Sequence, residues 1–438
     1  MNSGSPASLS DRLKLRAALR CLPLIAVLGS GLPDAAAQFA GGGFESPPVI
    51  RPDRILPPSM LASGNHRVLD DVLTQGNWLE FAIESDFGNF RPPSLAMASI
   101  RIQEIRTLAQ AVDHYNRSNQ RLAERLRGQL TVGADSVVQI LTSPISTTTQ
   151  VVDQFTSNVG QTFQEFGDFR PREQADGKKK PTIYEQFEPG DPVLASHKRN
   201  VASQLDLDVY SSNPRVQDFL DTLAKARGSG QQSAGIVTVS LPDDGRIRVA
   251  GGRVEAEIRA AMTHNTINQL YRRNFDALSR VGVPAEVADE FLSHPMLSPR
   301  HKTAITEHLV YLDGVGSRGA LPQAALNAGS EKEAVGYVQV ARLLSSYQER
   351  IGGLKQLVAA GHVVLAISGE AALLVVLPYD VLYWNESTAK TFSDLARFAD
   401  DKGYRRREIL SAGLFSERAR ERFQGLGFEL KERYLHRR

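Results

Sequence analysis

Residues His362–Leu377 read HVVLAISGEAALLVVL. Two runs, His362–Ser368 and Ala371–Leu377, are apolar at nearly every position and flank Gly369-Glu370. They predict two strands joined by a tight turn. A strand with one wet face alternates apolar and polar residues, so unbroken apolar runs predict a sheet covered on both faces. Downstream the period changes. A helix is expected over about 386–402, a strand near Glu408–Ser411, a helix from Glu417 to Gln424 capped by Ser416, and a strand near Phe428–Tyr434. The order β-β-α-β-α-β predicts a small C-terminal α/β sandwich over 356–438.

Upstream, the chain reads as helical, which makes the fold class α+β, mostly helical. Over 201–355 a helical domain is expected. Asn213-Pro214 supplies an N-cap followed by proline at the first helical position, and Val216, Phe219, Leu220 and Leu223 mark one face of a helix ending near Ala226. Further helices are expected at about 254–281, 284–293, 299–312 and 331–350, the last opened by a Ser330/Glu333 capping box. Pro242-Asp243-Asp244-Gly245 between two apolar runs predicts a hairpin over 236–249. Residues 170–200, with Lys178-Lys179-Lys180 among several prolines, read as a linker. An N-terminal helical region is expected over 65–169. It holds a short helix over Asn65–Gln75, a strand through Leu79, Phe81 and Ile83, and a long helix over Ser94–Arg127 whose charged face, including Arg101 and Glu104, reads as solvated. Residues 38–64, with three consecutive glycines and several prolines, read as a flexible arm.

Residues 1–37 have the order of a secretory signal peptide. Arg12, Lys14, Arg16 and Arg20 precede the apolar run Cys21–Leu32, and Ala35-Ala36-Ala37 supplies small residues for cleavage after Ala37. The apolar run is too short for a bilayer span of about 20 residues. The expected location is therefore outside the cytoplasm, in the periplasm or beyond. Cleavage removes the single cysteine and the whole formal excess of +2, so the remainder is neutral. Neutrality speaks against a nucleic-acid coat, and a chain without cysteine has no disulfide or thiol chemistry. The 438 residues, 42% hydrophobic and 23% charged, have the proportions of a globular protein able to bury a core.

Motifs with chemical content are sparse. Ser387-Thr388-Ala389-Lys390 matches SxxK, which sets a serine one helical turn from a lysine that accepts its proton when desolvated. Ser387 and Lys390 are the nameable catalytic candidates, for a hydrolase acting on envelope material. Ser211-Ser212-Asn213 resembles the companion SxN element but precedes SxxK, and no KTG follows. Gly314–Gly319 (GVGSRG) matches GxGxxG, but helices rather than a strand precede it, so it reads as a helix–helix connection and no cofactor is expected. His294, His301 and His308 recur at sevens, yet Pro295 and Pro299 separate the first from any common helix, so no metal site is expected.

Residues 144–166 carry no basic residue, and Val152, Phe155, Val159, Phe163 and Phe166 recur at helical spacing. Such a face packs on the protein's own core, on a partner protein or on a membrane surface. The absence of Lys and Arg disfavours the membrane. The stretches from Tyr210 (YSSNPRVQDFLDTLA), Asn268 (NQLYRRNFDALSRVGVPAEVADEFLSHPMLSPRHKTAI) and Leu377 (LPYDVLYWNE) resemble a group of uncharacterised exported proteins of Gram-negative bacteria. The resemblance covers the C-terminal half, with an echo at Ser94–Ala109. It implies an envelope location and carries over no residue roles. The sequence thus predicts an exported, non-enzymatic protein that binds another protein, with a serine hydrolase and a peripheral membrane protein as alternatives.

Overall fold

The computed structural model describes residues 43–125, 184, 187–228, 252–369 and 371–435. They form a mixed helical and stranded fold with a C-terminal sheet. The expected signal peptide, the hairpin at 236–249 and the amphipathic face Val152, Phe155, Val159, Phe163, Phe166 lie outside them. No helix among the described residues is long and apolar enough to cross a membrane.

The C-terminal sheet has five main strands: β5 (Leu354–Ala360), β6 (Val363–Ser368), β7 (Ala372–Leu377), β9 (Arg406–Ser411) and β11 (Phe428–Lys431). Their spatial order is β11-β9-β7-β6-β5. Strands β5, β6 and β7 form an antiparallel meander, while β7, β9 and β11 are parallel. Parallel neighbours need a crossover, supplied here by α11 (Glu386–Asp401) and α12 (Glu417–Gly425). A short parallel pair, β8 (Val381–Leu382) with β10 (Leu414–Phe415), extends the centre. The expected order omitted β5, and its boundary at 356 falls inside that strand.

The unbroken apolar runs have the predicted cause. Along β7, Ala372, Leu374 and Val376 enter the main core, while Leu373, Val375 and Leu377 enter a second cluster with Phe392, Ala396, Phe423 and Phe428. The sheet is the middle layer between the helical body and the pair α11 and α12. Each fully buried leucine or valine in it contributes about 1.5–3 kcal/mol.

The helical body runs from α2 (Leu95–Arg125) through α3 (Pro192–Gln204), α4 (Pro214–Gly228), α5 (Gly252–His264), α6 (Ile267–Arg280), α7 (Ala285–Ser293), α8 (Pro299–Tyr311) and α9 (Ala320–Ala325) to α10 (Glu331–Arg350). Helix α10 is buried on nearly every side over Ala334–Tyr347, as befits a helix enclosed by others. It packs against β7, α8, α9 and α2.

Four expectations are corrected. Residues 254–281 are two helices, because Thr266 and Gln269 form a reciprocal capping box that starts a new one. The Asn65–Gln75 helix is instead two strands, β1 (His66–Val68) and β2 (Leu73–Gln75). These pair with β4 (Ile83–Ser85) and β3 (Trp78–Glu80) respectively. Gly76, at φ +60°, turns the β2–β3 hairpin in two residues, a conformation glycine adopts without steric cost. Residues 192–200 belong to a helix rather than a linker. Pro192 is its first residue, and the Asp191 carboxylate accepts the Val193 N–H at 2.8 Å. From Pro52 onward the Gly/Pro-rich arm is packed. A 3-10 turn (Pro52–Arg54) and α1 (Pro58–Leu61) bury Pro52, Ile55, Leu56 and Met60.

Candidate functional site

In sheets of this kind, ligands sit in the crevice beyond the carboxyl ends of the parallel strands. Here those ends carry Pro378-Tyr379-Asp380 after β7 and Ala412-Gly413 after β9. Asp380, only 2% exposed, lies at the centre. Its Oδ2 accepts the backbone N–H of Leu79 at 3.0 Å and of Leu95 at 2.9 Å. Its own N–H donates to the Asn77 carbonyl, and its carbonyl accepts the Leu414 N–H. Burial pushes the Asp380 carboxyl up to about 7, against the two N–H donors that favour the ionised form. Gly413 lies so close that a Cβ there would come within 2.0 Å of the Asp380 carbonyl oxygen. Arg433 donates to the Ile55 carbonyl from the far side. Asn77, Leu79 and Leu95 of the same chain thus occupy the space beyond these strand ends.

Residues 43–50 complete this cover. The Glu45 N–H donates to the Trp384 carbonyl at 2.7 Å. Glu45 Oε2 accepts the Trp384 N–H and the Ser416 hydroxyl, each at 2.6 Å. Arg418 donates to the Gly43 carbonyl at 2.7 Å. Ser416 also caps α12, its Oγ accepting the Ala419 N–H.

A second polar cluster lies inside the helical body. Glu104 is 4% exposed, which corrects its assignment to a solvated face. It accepts from Ser211, from Asn213 at 3.0 Å and from Arg101 at 2.5 Å. Ser212 donates to Glu331, whose carboxyl is pushed up by burial against the pull of Arg101. The Ser211-Ser212-Asn213 stretch is thus a knot joining α2, α4 and α10, and Asn213 caps α4 as expected. A shallow cleft with room for about 20 Å³ adjoins it, lined by Arg199, Asp206, Asp208, Arg259 and Arg300 among others. Its charges largely pair. Arg259 meets Asp206 at 2.8 Å, and Arg199 meets Glu188 at 2.6 Å. Burial raises the Asp208 carboxyl, opposed by Arg300. Nearby, burial works against ionisation of Glu255, but Arg342 at 2.7 Å and Arg300 hold its carboxyl down at about 2.

The expected catalytic pair lies elsewhere. Ser387 and Lys390 are both exposed on the first turns of α11, where Asn385 is the cap. The GxGxxG segment serves the sheet edge. Gly314 takes φ +78°, and Gly316 pairs with β5, its N–H donating to the Lys355 carbonyl at 2.7 Å. The three spaced histidines have separate structural duties. His294 bonds the Leu326 carbonyl, His301 completes the Ser298 capping box, and His308 meets Ser345. Burial depresses them to about 4, 3 and 3 respectively. Among the described residues, no group of three or more His, Cys, Asp or Glu could hold a metal ion.

Sequence reasoning missed Asp380, Glu104 and Glu45. A signal existed for the first, a lone acid in the apolar run Ala372–Trp384. Glu45 sits in a Gly/Pro-rich stretch that gives no hint of a long-range contact. Comparison with protein-family models, curated proteins and solved structures found no match.

Proposed function

We propose that this is an exported envelope protein that acts by binding another protein rather than by catalysis. One observation carries the reading. The crevice beyond the parallel strands, where a sheet of this kind would hold a substrate, is occupied by Glu45, Asn77, Leu79 and Leu95 of the same chain. The buried acids Glu104 and Asp380 are engaged in joining helices and strands. The order of residues 1–37 and the resemblance of the C-terminal half to exported proteins supply the location.

The test is crosslinking in native envelopes, comparing the protein with a version lacking residues 144–168 after circular dichroism shows both folded. A partner captured by the intact protein and lost on the deletion is expected. Failure of both versions to capture a partner overturns the reading.

A further inference from the structure

The geometry points to the Glu45 seat as a peptide-binding site. Trp384 and Ser416 form a receptor for an extended segment of a partner protein bearing a glutamate, and residues 43–50 are a tethered stand-in that the partner displaces. The inference rests on the protein-binding reading above and adds a second contact with the partner, separate from residues 144–168.

The seat is built on rigid elements. Trp384 follows β8, and its ring meets Phe423 edge-on at 5.8 Å in the second core. Ser416 is fixed as the cap of α12. Recognition has two parts. The Trp384 carbonyl accepts the main-chain N–H of the bound residue, which fixes its backbone beside Trp384. The Trp384 N–H and the Ser416 hydroxyl converge on one carboxylate oxygen, which selects an acid. Hydrogen bonds to a charged group are the stronger kind. A segment without the acid leaves the Trp384 N–H without this acceptor.

The tether buries little apolar surface. No side chain from Gly43 to Ile50 is fully buried, and Phe44 and Val49 are 54% and 69% exposed. Hydrogen bonds hold Gly43 to Glu45, and Ile50 packs on the main core and donates its N–H to the Val72 carbonyl at 3.3 Å, whereas the following residues Pro52, Ile55, Leu56 and Met60 are buried in the core. The cover can therefore leave while the rest of the N-terminal region stays. The occupant in cis also defines the occupant in trans: an extended acidic stretch whose glutamate reaches Ser416.

The test uses a fluorescein-labelled peptide of residues 39–50 (FAGGGFESPPVI) and the full-length protein, read by fluorescence anisotropy. Removing the tethered competitor with Glu45→Ala is expected to tighten peptide binding about tenfold over wild type, because more sites stand open. Glu45→Gln, which keeps the side-chain length, is expected to fall between them. The same peptide with alanine for its glutamate should lose binding. Equal affinity for wild type and Glu45→Ala, both folded by circular dichroism, overturns the inference, as does binding indifferent to the peptide glutamate. Adding the peptide to the envelope crosslinking separates the two readings. A partner captured equally with and without saturating peptide overturns the Glu45 seat and leaves protein binding standing. Glutamate-dependent peptide binding without any captured partner does the reverse.

Discussion

Asp380 joins three parts of the chain through one carboxylate oxygen and its own backbone N–H and carbonyl. Its titration has a stability consequence. The unfolded carboxyl titrates near 3.8 and the folded one near 7. Between those values the folded protein holds a proton that the unfolded chain has lost. Stability therefore falls as pH rises through that window, by about 1.4 kcal/mol per pH unit. Asp380→Asn keeps an oxygen acceptor and should flatten this slope in denaturant titrations from pH 4 to 7. Asp380→Ala leaves two buried N–H groups without an acceptor, and at about 1–3 kcal/mol each it should cost about 2–6 kcal/mol. Gly413→Ala should be worse than ordinary overpacking of about 1–3 kcal/mol, because the clash is with backbone that no rotamer relieves. The lone acid in an apolar run made Asp380 legible in principle. Glu104 was not, because it stands on a helix among other charges, and only the Ser211–Asn213 loop, over a hundred positions away, shows that it is buried.

Elements were legible where their ends carry chemical punctuation. Ser298, Ser330, Asn385 and Ser416 each cap a helix at the position their side chains advertise. Thr266 advertises one too, with Gln269 three residues on, but the apolar spacing runs through it and suggests one long helix. Thr266→Ala should cost about 1 kcal/mol in chemical denaturation. Its fraying should show as faster amide exchange in the first turn of α6. Strand β5 was illegible for a different reason. A register shift between Leu354 and Gln356 puts Leu354 and Leu357 in the same core although they are three apart, a spacing that reads as helix. Strands β1 and β2 are too short for alternation to show, whereas the alternating Leu79, Phe81 and Ile83 were legible as strand but span two strands, β3 and β4, rather than one.

At the level of the whole molecule, the sheet carries one of the two apolar clusters of the described residues on each of its faces. The two tryptophans report on different regions. Trp78 packs against Tyr379 and the α10 backbone at Gly336, and Trp384 against Phe423. With a shared middle layer, single-tryptophan variants Trp78→Phe and Trp384→Phe should unfold at the same denaturant midpoint once corrected for their own stability changes. Separate midpoints would show that the C-terminal layers unfold on their own. Leu373→Ala and Leu374→Ala, on opposite faces of β7, should each cost about 2–5 kcal/mol in that single transition.

The Asp380 joint also sets a schedule. The N–H groups of Leu79 and Leu95 find their acceptor 301 and 285 positions later in the chain. A ribosome adding about 5–20 residues per second takes roughly 15–60 s to cover that distance. For that interval the Leu79 and Leu95 N–H groups lack the carboxylate that holds them in the finished fold. The joint therefore closes late in synthesis, after most of the helical body has been made.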